Sequence, residues 1–216
     1  MTFFDALQSH TATERHYLLS APVIKRAMDG QLSLDTYVAF LTQAYHHVKH
    51  TVPLLMACGA KLPDEHEWLR EAIAEYIAEE KGHQEWILDD IRACKADAEA
   101  ARRAQPSLPT ELMVSYVYDY INRHSPMGFF GMVNVLEGTS IALATQVAGT
   151  LQGSLGLPSN AFSYLTSHGS LDIEHVEFFK HLMNRVDDPR DQAHVTHVAK
   201  VVYRLYGDMF HSLPLS

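Results

Sequence analysis

Apolar positions in this chain recur at intervals of three and four residues over long spans, the spacing of one face of an α-helix. No Asn-Gly or Asp-Gly hairpin separates alternating apolar and polar runs, so strands find no support. The nine prolines, at positions 22, 53, 63, 106, 109, 126, 158, 189 and 214, punctuate the helical spans. The spacing predicts helices over about 3–18 and 22–29, the second with Pro22 near its start and Gly30 past its end. The next runs over 34–59, capped by Ser33 and bent at Pro53. Asp64 with Glu67 resembles a capping box and opens a helix to about 95. Residues 95–109 read as a short helix or a connection, and further helices follow at about 110–123, 127–153, 159–167, 170–186 and 189–212. With no internal repeat, the pattern predicts one all-α domain over 1–216, built around a helix bundle.

Composition narrows this picture. The chain has 216 residues, 47% of them hydrophobic and 20% charged, which suits a soluble globular domain. The formal net charge is -9 and no basic patch stands out, so nucleic acid is not an expected partner. No uninterrupted run of about 18 apolar residues occurs, and no membrane span is expected. The opening MTFFDALQSH lacks the pattern of a signal peptide. Cys58 and Cys94 stand apart, outside any CxxC pair, so a reducing compartment and a cytoplasmic location are expected. The chain's 14 histidines make their placement the informative question.

Listing helix faces answers it. On the 64–95 span, one face reads Leu69, Ile73, Tyr76, Glu80, His83, Ile87, Ile91 and Cys94. That face is apolar except for Glu80 and His83, and an unpartnered buried carboxylate is costly. In "SHGSLDIEHVEFFKHLMN", His168, Asp172 and His175 share a face that continues through Phe179, Leu182 and Met183. Glu137 interrupts the apolar string "FFGMVNVLEGTSIALATQVA" and needs a cation or a hydrogen-bond partner. On the 34–59 span, His47 lies with Phe40, Ala44 and Thr51, whereas His46 and His50 fall on a wetter face. Dimetal carboxylate bundles use a Glu-x-x-His from each of two helices and one further carboxylate from each of two others. Glu80 with His83 and Asp172 with His175 supply the pairs, Glu137 is a single ligand and bridging candidate, and His168 is an extra donor. His47 stands where the second single carboxylate is expected. Oxygen and nitrogen donors without thiolate favour iron or manganese over structural zinc. Considered singly, each buried Glu–His pair is also compatible with a structural hydrogen bond. His194 with His197, and the alternating Tyr116, Tyr118 and Tyr120, read as surface and packing residues, and Trp86 as packing beside the site.

The segments "EEKGHQEW", "GFFGMVNVLEGTSIALA" and "SHGSLDIEHVEFF" resemble the haem-oxygenase-like diiron oxidases, relatives of thiaminase II and PQQ synthase. The resemblance covers most of the chain. It implies an orthogonal bundle of seven to eight helices, two iron ions as cofactor, and oxygen-dependent oxidation of a small organic substrate. It also implies Glu80, His83, Glu137, His168, Asp172 and His175 as ligands. The chain departs from the pattern at "AYHHVKHT", where many members present a glutamate, and this leaves the occupancy of one metal site open. "VLEGTS" also looks like the distal helix of haem oxygenases, with "TERH" ending at His16 as their proximal segment, but the glycine-rich distal stretch is missing. Glu137 lies about where thiaminase II has its cysteine nucleophile.

The expected function is therefore a non-haem dimetal oxidase or oxygenase acting with O₂ on a small organic substrate, with a homodimer as the default assembly. The rival readings are a haem-binding or haem-degrading oxygenase with His16 as axial ligand, and a non-catalytic small-molecule binding protein of the same fold.

Overall fold

A computed structural model describes residues 1–215, the side chains of residues 168–175 excepted. Among the described residues there are twelve α-helices and no strand. They are α1 (Phe3–His10), α2 (Ala12–Leu19), α3 (Pro22–Met28), α4 (Leu34–Val48), α5 (Thr51–Lys61) and α6 (Glu67–Glu80). The chain continues with α7 (His83–Ala93), α8 (Ala98–Arg103), α9 (Leu108–Arg123), α10 (Phe129–Leu155), α11 (Ser163–Met183) and α12 (Pro189–Ser212). Short 3₁₀ turns over Asp64–His66, Pro126–Gly128 and Ser159–Ala161 lead into α6, α10 and α11.

The all-α class is as the periodicity predicts, but the helix count exceeds seven to eight because three long periodic runs are each two helices. The first divides at Thr11, whose hydroxyl turns back to donate to the Leu7 carbonyl at 2.8 Å. The second divides at Lys49–His50 rather than at Pro53, which sits instead in the first turn of α5. The physical reason is the missing N–H: Pro53 cannot donate to the carbonyl four residues before it, so the ladder is already broken there. The third divides at Lys81–Gly82, where Gly82 takes φ 98°, a left-handed conformation open to glycine at little cost. The capping box expected from Asp64 and Glu67 does not form: Pro63 precedes a 3₁₀ turn with no side-chain cap, and Glu67 pairs with Arg70. Toward the other end, the two expected helices 159–167 and 170–186 are a 3₁₀ turn followed by the single helix α11.

The long helix α10 is the centre of the packing, against α11, α12 and α3. Its close approach to α12 depends on Gly131, where an added Cβ would lie 2.5 Å from the Val195 carbonyl oxygen and 2.6 Å from the Ala199 nitrogen. Residues Pro126–Leu155 are long and apolar enough to cross a membrane by length and composition, although no uninterrupted apolar run suggests it; much of that helix is buried inside the bundle. Helix α11 lacks a cap of its own, since Phe162 supplies no side-chain hydrogen bond. Asp90 of α7 provides one from outside: its carboxylate accepts from the Ser163 N–H at 3.0 Å, from the Tyr164 N–H at 2.9 Å and from the Ser163 hydroxyl. The helix that begins with His83 is thereby tied to the helix that carries Asp172 and His175.

Candidate metal centre

Three helices deliver the expected polar side chains to one cavity. His47 comes from the last turn of α4, Glu80 from the end of α6, and Glu137 from the middle of α10. Between them the walls are mostly apolar, including Leu54, Leu55, Phe129, Met132 and Leu136. Among the described residues, no lysine or arginine lines the cavity.

Glu80 and His83 meet, but not as one helical face. Glu80 ends α6, His83 begins α7, and the turn through Gly82 brings His83 Nδ1 to 3.0 Å from the Glu80 carboxylate. Their side chains are only 11% and 3% exposed, so the inward placement is as expected while the continuous helix is not. Trp86, one turn further along α7, stacks on the His83 ring with centroids 4.1 Å apart and planes 28° from parallel. It fixes the imidazole plane and is more than general packing.

Glu137 has a neighbour that the sequence reading treated only as part of an apolar stripe. Tyr76 of α6 lines the same cavity, with its hydroxyl near the Glu137 side chain. Burial pushes the Tyr76 phenol well above its usual range, and the Glu137 charge adds to the effect. Tyr76 precedes Glu80 by one helical turn, and that spacing is the signal that could have found it. His47 is buried, with its ring edge-on to Tyr206 at 5.5 Å.

The expected wet face of α4 is a correction. His46 is as buried as His47, at 2% exposure, because α8 covers that side of α4. Its imidazole is lowered to about 4, by burial first and then by the charge of Lys49, whose Nζ lies 3.2 Å from Nδ1. His50 is half-buried and meets the Tyr118 hydroxyl at 3.2 Å. Elsewhere, His194 bonds the Tyr120 hydroxyl at 2.8 Å, a packing role. His16 is exposed on α2 and lines neither this cavity nor the apolar one beside it.

The side chains of His168, Asp172 and His175 lie outside the described residues. Among the described residues no three His, Cys, Asp or Glu side chains are gathered closely enough to hold a metal ion by themselves. The donors that are described nonetheless fit a cation. Two carboxylates and an imidazole border a cavity with mostly apolar walls and, among the described residues, no lysine or arginine, where negative charge is expensive. Both cysteines are buried away from these walls, so the donor set is oxygen and nitrogen, which suits iron or manganese.

Comparison with known proteins decides the family. Residues 38–207 match the family described as "Iron-containing redox enzyme". The chain belongs to that family. The matched span of this iron-containing redox enzyme family includes all seven candidate ligands and leaves out His16. No curated protein sequence matches the chain. Among solved structures, a protein of heme oxygenase-like fold from Shewanella denitrificans has a TM-score of 0.84 at 21% identity, covering 97% of this chain and 90% of that one. A TenA homologue from Pseudomonas syringae has a TM-score of 0.79 at 12% identity, covering 96% and 90%. Heme oxygenase from Leptospira interrogans has a TM-score of 0.74 at 15% identity, covering 99% and 100%. At these identities the likeness establishes a heme oxygenase-like fold for this family member and nothing about its chemistry.

Proposed function

We propose that this member of the iron-containing redox enzyme family is a non-haem dimetal oxidase or oxygenase that uses two iron ions and O₂ on a small organic substrate. The observation that carries the reading is the convergence of Glu80, Glu137 and His47, from three helices, on one cavity that no lysine or arginine among the described residues borders. The residues that would hold the metal are Glu80, His83, Glu137, His168, Asp172 and His175, with His47 in place of a second single carboxylate.

Iron at such a site supplies the electrons that O₂ requires before it reacts with closed-shell organic molecules. The chain's own part is positioning. Tyr76 orients the Glu137 carboxylate through its hydroxyl, and Glu137 is the bridging candidate. Trp86 fixes the plane of His83, and Glu80 holds its Nδ1 side. Asp90 keeps α7 against the start of α11. Leu54, Leu55, Phe129 and Met132 keep bulk water from the cavity.

A haem-dependent reading would need an axial histidine facing the interior, and His16 is exposed. The deciding experiment measures metal by mass spectrometry after anaerobic loading with ferrous iron, with O₂ consumption followed alongside. Close to two irons per chain, falling on Glu137→Ala, is the expected result. No bound iron, or equal loading of the variant, rejects the reading. A Soret band on haem addition that His16→Ala abolishes would establish the rival.

A further inference from the structure

Beside the candidate metal centre lies a second cavity, enclosed by α3, α4, α10, α11 and α12. Its walls are almost wholly aliphatic and aromatic, among them Ile24, Phe40, Leu143, Ala144, Val147 and Phe210. Among the described residues, none that is charged lines it. The two cavities share three wall residues, Ser140, Tyr164 and Tyr206, so they meet at that point. Tyr206 is 6% exposed, and its ring lies edge-on to His47 with centroids 5.5 Å apart. Because Tyr206 lines both cavities, a ligand lying across the junction meets its side chain.

We propose that this second cavity is the substrate's tail pocket, and that the substrate is an elongated molecule with an uncharged, apolar chain on one side of its reactive carbon. The assignment deepens the oxidase reading and rests on it for the word substrate, but the binding itself does not depend on metal. The tail lies among Phe40, Leu143, Ala144 and Val147, the reactive end points toward Glu137 and Glu80, and the Tyr206 hydroxyl donates to a polar atom at the junction. A charge at the far end of the tail is disfavoured, because none of the described residues of the pocket can pair with it.

The test uses the metal-free full-length chain and three probes: 1-decanol, 1-butanol and decanedioate. Isothermal titration is expected to show 1-decanol binding at least tenfold more tightly than 1-butanol, and decanedioate not binding. Ala144→Phe and Val147→Phe each fill the pocket and should weaken 1-decanol binding at least tenfold; with two positions, misfolding of one variant leaves the other. Tyr206→Phe keeps the shape and should weaken 1-decanol binding several-fold through loss of one hydrogen bond. Equal binding of all three probes, no binding of 1-decanol, or full binding by the folded Phe variants overturns the proposal. Iron loading of the same variants separates the two readings: an unchanged iron content with lost 1-decanol binding supports the pocket, and lost iron with retained 1-decanol binding would tell against the metal site alone.

Discussion

Tyr76 and Glu137 illustrate how little of a buried site its charged residues determine by themselves. A carboxylate in an apolar cavity can rotate among several rotamers, and a hydroxyl beside it selects among them. Replacing Tyr76 by Phe removes that hydroxyl and little else. Iron affinity is expected to fall roughly 10- to 100-fold while the far-ultraviolet spectrum stays unchanged; competition with a fluorescent chelator measures it, and an unaltered affinity would leave Tyr76 as packing. Asp90 acts on the fold instead. It is wholly buried and satisfies two N–H groups of the first turn of α11. Asp90→Ala leaves both groups buried and unpaired, for a loss of about 3 kcal/mol in urea unfolding. Burial raises the Asp90 carboxyl above its ordinary value despite these hydrogen bonds. The native state therefore keeps this proton to higher pH than the unfolded chain does. That contribution is full below the unfolded value and is lost as pH rises through the native one. Against the wild type, Asp90→Asn should show a flatter dependence of stability on pH across that acidic window.

Helices were more legible than their ends. The pattern of α12 could be read from Asp188 and Pro189 to Ser212, since a side-chain cap and a first-turn proline are local signals. Ser33 likewise caps α4 as expected, accepting from the Thr36 N–H at 3.1 Å. The division of 64–95 was not legible, because the apolar period runs on through Gly82 as though the helix did. Glu80 and His83 would share a face on a straight helix, and the left-handed turn brings them together by another route. Tertiary cover was hidden too: the polar look of His46 and His50 gave no sign that α8 and Tyr118 lie over them. Gly131 carries the sharpest expectation at this scale. Both atoms that an added Cβ would strike are backbone of α12, which cannot move aside as a side chain can. Gly131→Ala should cost about 1–3 kcal/mol by forcing α10 and α12 apart. Gly82→Ala meets nothing within 4 Å and is strained only through its φ of 98°, so about 1–2 kcal/mol is expected. Its larger effect should be on iron affinity, through the displaced Glu80–His83 pair.

For the whole molecule, the site sets stability and metal content against each other. In the metal-free chain, Glu80 and Glu137 bring two carboxylates to one mostly apolar cavity, where like charges close together oppose folding. A metal that binds only the folded state reverses this, adding about 2.7 kcal/mol when free metal is at 100 times its dissociation constant. For a chain of this size that raises the melting temperature by roughly 5–10 °C. Glu137→Ala separates the two effects by their sign. Without metal the variant should melt at or above the wild-type temperature, since a carboxylate at a mostly apolar cavity is gone and Tyr76 loses only a neighbouring acceptor. With ferrous iron under anaerobic conditions it should melt below the wild type, having lost a ligand. Scanning calorimetry of both proteins, with and without iron, gives four transitions whose order carries the test. If Glu137→Ala lowers the melting temperature equally in both conditions, the carboxylate serves the fold through Tyr76 and binds no metal.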